Sequence, residues 1–269
     1  MSLEPVPSDI LYKRLSGIIW GDAKTGKTTW AMSLPGRKLL INFDPDGYVS
    51  VAHRNDFDTF DLANMPATEA ISNAKKVATW IVENGDKYES VIVDSLTTLS
   101  SVALEDAVLR GIGKTKNFTP TLEVPGLQGY GGRTTNVQCV VEKIMRATGQ
   151  KGLHCFFIAH KDDPEFDEDG KNIVQQTLML SAKIRNNAAL RVSEIYYLSL
   201  AHGNRRTVNL APVGHLQPMG SRIFDTVKVP KFSLAYSPDI PDEEQPTSLM
   251  RIIAAHKAGG YAKLKGEPK

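Results

Sequence analysis

The chain has 269 residues, 41% of them hydrophobic and 23% charged, with a formal net charge of +2. That length can bury a core without disulfide staples, and the charge is too small to draw in nucleic acid through a global field, so any such contact must come from locally clustered bases. The two cysteines, Cys139 and Cys155, lack CxxC spacing, which reads as a reduced, cytoplasmic chain; no apolar run reaches the about eighteen residues of a membrane span, and the opening MSLEPVPSDI is unlike a signal peptide.

Residues 1–14 form a polar, proline-containing arm. Leu15–Trp20 is an apolar run with the character of a buried strand, and Thr28–Leu34 reads as a helix stopped by Pro35. Between them lies Gly21-Asp22-Ala23-Lys24-Thr25-Gly26-Lys27-Thr28, which fits GxxxxGK[ST] at every fixed position. Strand, glycine loop and helix are the context this motif requires. Glycines let backbone N–H groups turn inward around a phosphate, and the helix presents its positive N-terminal end to the same charge. Residues 21–28, with Thr29 beyond them, are therefore the predicted nucleotide site. Lys27 reaches the β- and γ-phosphates, and the Thr28 hydroxyl ligates Mg²⁺. A bare tight connection would not need the whole pattern.

Lys38–Phe43 is a second strand, and it ends in Asp44-Pro45-Asp46-Gly47, which must leave the sheet. Carboxylates there sit in the ligand crevice of an open parallel sheet; they either order an attacking water or form an ordinary acidic turn. Asp56–Leu62 alternates like a short edge strand, and Ala67–Glu83 carries apolar residues at helical spacing, closed by Asn84-Gly85. Val91-Ile92-Val93-Asp94 is a β-branched run, like a central parallel strand, terminated by an acid. Paired with the glycine loop, Asp94 is the candidate that holds Mg²⁺ opposite Thr28. Position 95 is Ser, so the acid-after-acid arrangement of AAA+ and helicase-type ATPases is missing, and the search for a catalytic base returns to Asp44 and Asp46.

Leu96–Arg110 reads as a helix. Residues 111–132 hold six glycines and two prolines and read as a long loop, in which Lys114, Lys116 and Tyr130, with Arg133 just beyond, mix base and aromatic as a single-strand-binding loop would. A plain surface excursion is the competing reading. Thr134–Ala147 follows as a helix, and Leu153–Ala159 is a buried strand that delivers His160 to the same sheet edge as Asp94. His160 is either structural or a sensor of the γ-phosphate. The segment after it, Lys161–Lys171, is strongly acidic, which suits covering the site or touching a neighbour better than touching DNA. Shorter pieces come next: Ile173–Leu180, a polar helix over Ala182–Arg191, and Ile195–Leu200 with Arg205–Leu210 as a hairpin through His202-Gly203-Asn204. The domain is expected over 15–237, a linker over 238–246, and a short helix (Ser248–Ala258) with a basic tail in 247–269. That helix docks either on a neighbour or on its own domain.

With these pieces in hand, residues 15–200 resemble the RecA-type recombinases. The segment VIVDSLTTL is similar to that family's Mg²⁺-binding strand and turn, and DPDG to its D-x-E-G strand end. The resemblance puts Asp46 in the place of the catalytic glutamate, one carbon shorter, and His160 in the place of a γ-phosphate-sensing glutamine. It puts 111–133 and 161–178 in the places of the two DNA-binding loops. Through RRTVNLAPVGHLQPMGSR (205–222) the chain further resembles small phage-encoded RecA-like ATPases, including Sak-type single-strand annealing proteins.

The resemblance implies a doubly wound α/β core with a mostly parallel sheet and flanking helices, followed by a C-terminal β-hairpin region and a short terminal helix. It implies ATP with Mg²⁺, and Lys27, Asp46, Asp94 and His160 as catalytic residues. Arg222 or Lys228 would act across a subunit boundary. It also implies single-stranded DNA, further copies of the chain in a ring or filament, and a single-strand-binding protein as partners in recombination or annealing. The competing function is a nucleotide-dependent assembly or regulatory switch that acts on protein partners without DNA. A small-molecule kinase fits less well, because no lid-like arginine cluster is visible.

Overall fold

The structure, a computed structural model, describes residues 14–201, 205–235 and 240–257. The arm 1–13, the turn His202-Gly203-Asn204, residues 236–239 and the basic tail from 258 lie outside the described residues.

Six strands form the parallel body of the sheet: β1 (Ser16–Gly21), β2 (Lys38–Asn42), β3 (Phe57–Asp61), β4 (Ser90–Asp94), β5 (His154–His160) and β8 (Glu194–Ala201). The strand order is β11-β9-β8-β1-β5-β4-β2-β3. Strands β9 (Arg205–Asn209), β10 (Gly220–Ser221) and β11 (Lys231–Leu234) add an antiparallel extension beside β8. A separate two-stranded ladder, β6 (Glu165–Phe166) with β7 (Ile173–Gln175), stands in the acidic segment after β5.

Successive side chains of a strand face opposite sides of the sheet. Ile18 and Trp20, Leu39 and Ile41, Val91 and Val93, Phe157 and Ala159 enter one core cluster; Ile19, Leu40, Ile92, Phe156 and Ile158 enter the other. Both faces are covered, which is why these strands read as continuous apolar runs rather than as alternation. Helices α2 (Ala67–Asn84), α3 (Leu96–Leu109), α4 (Gly126–Lys151) and α5 (Ala182–Arg191) pack on the first face. The second face is covered by α1 (Lys27–Ala31) and α6 (Leu249–Lys257). The mostly parallel sheet between helical layers is the fold the sequence predicts. No helix among the described residues is long and apolar enough to cross a membrane.

Three elements depart from expectation. Helix α1 ends at Ala31 rather than Leu34. The Ser33 and Leu34 amides turn back to the Trp30 and Ala31 carbonyls, and Ser33 instead receives α6: the Leu249 N–H donates to Ser33 Oγ at 2.9 Å and the Met250 N–H to the Ser33 carbonyl at 2.9 Å. Helix α6 therefore folds back on its own domain. The composition-based linker is also anchored within its described part, where buried Asp242 pairs with Arg54 at 2.6 Å.

The largest correction concerns 126–132, expected as loop and found as the first two turns of α4. Glycine opposes helix by about 1 kcal/mol per residue, but here it permits close packing. A Cβ on Gly132 would lie 2.9 Å from the Ala107 Cβ and 3.0 Å from Ile112 Cδ1. Tertiary contact thus outweighs propensity, and only 111–125 remains as connection.

Candidate functional site

Strand β5 lies between β1 and β4, and Gly21 is paired in register with His160. The carboxyl ends of three neighbouring strands thereby bring the glycine loop, His160 and Asp94 side by side. Two close approaches shape the loop. A Cβ on Gly21 would sit 2.1 Å from the Leu198 carbonyl oxygen of β8, and Gly26 has φ 90°, where side chains are strained. Among the described residues, the non-glycine positions with left-handed backbone are Lys24 and Asp46, one in each turn at this edge. Backbone strain of that kind concentrates where surrounding structure enforces it.

Lys27 is buried, and its Nζ donates to the backbone carbonyls of Gly21 at 3.2 Å and Asp22 at 2.7 Å. Burial lowers its pKa, against the opposing pull of Asp94, Asp22 and Asp44. Thr28 Oγ1 donates to Asp94 Oδ2 at 2.6 Å. Burial pushes the Asp94 carboxyl up to about 6; the Thr28 bond pulls it down and the Asp44 charge adds to the rise. A hydroxyl and a buried carboxylate facing each other beside a lysine match the all-oxygen donor preference of Mg²⁺. Asp94 is a carboxylate that gains from a cation.

The acidic turn divides its two acids. Asp44 accepts from Ser95 Oγ at 3.0 Å, from the Thr98 hydroxyl, and faces His160 Nε2 at 3.4 Å. Burial raises its pKa, yet the bonds from His160, Thr98 and Ser95 outweigh burial and hold it below the ordinary carboxylate range. Asp46 is exposed, and among the described residues its carboxylate enters no hydrogen bond or ion pair. His160 is fixed at a second point by its N–H, which donates to Thr97 Oγ1 at 2.9 Å. Ser95, Thr97 and Thr98 were not singled out from sequence. Ser95 also caps α3 by accepting from the Thr98 N–H, and the S-x-x-T spacing after Asp94 was the available signal.

Two cations hold the loop from outside, neither anticipated. Lys161 Nζ lies 2.7 Å from Asp22 Oδ1, and Arg206 Nε on β9 donates to the Thr25 carbonyl at 2.9 Å. Both partners are distant in sequence, so no local pattern announces them.

The DNA-contact candidates are gathered elsewhere on this edge. Lys114 and Lys116 are exposed on the 111–125 connection, and Arg133 stacks over the Tyr130 ring at 5.0 Å on the first turns of α4. With 26 residues, α4 is about 39 Å long. The seven-residue β5 into which it leads spans about 23 Å. Its N-terminal turns therefore extend past the carboxyl edge where the glycine loop lies. Arg222 and Lys228, the candidates for action across a boundary, are exposed, with Lys228 paired to Asp225 at 3.2 Å.

The glycine loop, the Thr28–Asp94 pair and the intervening strand define a P-loop nucleotide hydrolase built on a mostly parallel, helix-flanked sheet. Residues 13–215 match the family AAA_24, described as an AAA domain, and the chain belongs to that family. No curated protein matches it. Among solved structures, the RadB recombinase is 12% identical, covering 77% of this chain and 84% of its own, with a TM-score of 0.42. The KaiC-like protein PH0186 from the hyperthermophilic archaeon Pyrococcus horikoshii OT3 is 13% identical, covering 72% and 77%, with a TM-score of 0.40. At these scores the fold rests on strand order and site, not on either likeness.

Proposed function

We propose that the chain binds ATP with Mg²⁺, hydrolyses it, and uses the cycle to bind single-stranded DNA in recombination or strand annealing, assembled with copies of itself. The observation that carries the nucleotide half is the bond from Thr28 to buried Asp94 at 2.6 Å beside buried Lys27. Amides of residues 22–28 and Lys27 hold the phosphates, and Thr28 with Asp94 holds the metal. Mg²⁺ bound there neutralises charge on the phosphate oxygens.

The two acids of the turn take different roles in this reading. A carboxylate with three donors is a poor proton acceptor, so Asp44 orients His160 and Asp46 is the group that activates water. His160 senses the γ-phosphate. The Arg133–Tyr130 pair, with Lys114 and Lys116, supplies the charge and stacking that single strands need. A basic side chain of a neighbouring copy, Arg222 or Lys228, completes the site, and a single-strand-binding protein is a further partner.

A second reading, a nucleotide-dependent switch acting on proteins, draws on the acidic β6–β7 ladder with its exposed Phe166 and Val174. Hydrolysis measured with and without single-stranded DNA separates the two readings when Tyr130→Ala with Arg133→Ala is included. Loss of DNA binding and of DNA stimulation, with ATP binding intact, is expected from the first. Unchanged behaviour, or wild type indifferent to DNA, selects the second.

A further inference from the structure

A loop built to hold a polyphosphate here carries a carboxylate, Asp22, at its second position. Asp94 and Asp44 are compensated by Thr28, Ser95, Thr98 and His160. Asp22 is compensated by Lys161 alone among the described ion pairs, at 2.7 Å, with the two side chains 49% and 19% exposed. Lys161 touches the loop a second time, because its N–H donates to the Gly21 carbonyl at 3.0 Å. Tyr197 on β8 also interacts electrostatically with the Lys161 ammonium.

We propose that Lys161 is a positioning residue for the phosphate loop: it neutralises Asp22, so that the loop accepts a polyanion despite the acid built into it. This rests on the nucleotide-binding reading and deepens it. Lys161 directly follows His160 and opens the acidic segment with the β6–β7 ladder, so the same ion pair joins the phosphate loop to that segment. An uncompensated acid in the loop that holds a triphosphate costs affinity, because like charges close together repel.

The test is a double-mutant cycle read by calorimetry with ATP and Mg²⁺, each variant checked for folding by circular dichroism. Lys161→Ala should weaken binding by about tenfold or more. Asp22→Asn should tighten it, and the double variant should recover most of the Lys161→Ala loss, since the charge needing compensation is gone. Lys161→Arg, which keeps the charge, should stay within about threefold of wild type, and the charge-free Lys161→Gln replaces Lys161→Ala in the cycle if that variant does not fold. A double variant as weak as Lys161→Ala overturns the proposal while leaving the nucleotide site in place. Wild type that takes up no ATP overturns both.

Discussion

The carboxyl edge of the sheet carries two regions made by different means. Around the glycine loop the working side chains are held by directional bonds: Lys27 by two carbonyls, Asp94 by Thr28, Asp44 by two hydroxyls and His160. Around 109–133 the backbone is held by turns and by the first turns of α4, but much of the side-chain surface is free. Leu109, Leu122, Val124, Leu127 and Tyr130 stand exposed, and the Arg133 Nε is buried without a hydrogen-bond partner. The first region is organised by directional polar bonds, as preorganised catalysis requires. The second is organised by close helix packing at its base and left free at its surface, as a region must be if it adapts to a flexible partner.

The comparison breaks most severely at Lys27. Lys27→Ala should lower ATP turnover by about 100-fold or more if, as proposed above, Lys27 is the cation set against the transferred phosphoryl group. DNA-independent properties of α4, such as thermal stability of the α3–α4 packing, should hardly change. Steady-state hydrolysis together with a melting curve reads both. Retained turnover would mean that the polar cluster around Lys27 is structural.

Next in size is Gly132→Ala, which attacks the packed region. Its Cβ would meet the Ala107 Cβ at 2.9 Å, which cannot swing away, and Ile112 Cδ1 at 3.0 Å. Overpacking of this kind costs about 1–3 kcal/mol, more than alanine's helix preference returns. Urea unfolding should show the loss, with ATP affinity nearly unchanged in the folded protein.

A pH titration sharpens the polar side of the comparison. Burial raises Asp94 to about 6, above its value in the unfolded chain. Protonated Asp94 suits the apo fold, so its contribution to stability is full below the unfolded pKa and is lost as pH rises through about 6. Metal binding needs the carboxylate and runs the other way. Mg²⁺-dependent ATP affinity should fall by up to about tenfold per unit as pH drops below 6, whereas Mg²⁺-free nucleotide binding should not follow that curve. Calorimetry from pH 5 to 8 with and without Mg²⁺ checks it; parallel curves would remove Asp94 from the metal site.

Much of the polar region was legible in the sequence because phosphate chemistry fixes residue types at short spacing. GDAKTGKT and the acid ending VIVD are local patterns whose geometry follows from one strand and one turn. The sheet was legible for a similar reason, since strands covered on both faces must be apolar throughout. What could not be read is non-local. Lys161 meets Asp22, and Arg206 meets Thr25, only because β5 and β8 flank β1 and β9 pairs with β8. The different surroundings of Asp44 and Asp46 depend on hydroxyls at the start of α3. In the second region, glycines that punctuate a loop in most sequences mark close helix contact, and composition alone points the wrong way.

Gly131→Ala gives the smallest effect and the most discriminating one, because it repeats the Gly132 substitution one residue earlier. Both positions lie in α4, yet a Cβ on Gly131 meets nothing within 4 Å. Propensity then acts alone: alanine narrows the unfolded ensemble and favours the helix, so stability should rise by about 0.5–1 kcal/mol. Opposite signs for one substitution at adjacent residues would establish that the first turns of α4 are helical and packed through Gly132. Equal signs in urea unfolding would mean that 126–132 is loop after all, and with it would go the extension that carries Tyr130 and Arg133 past the edge of the sheet.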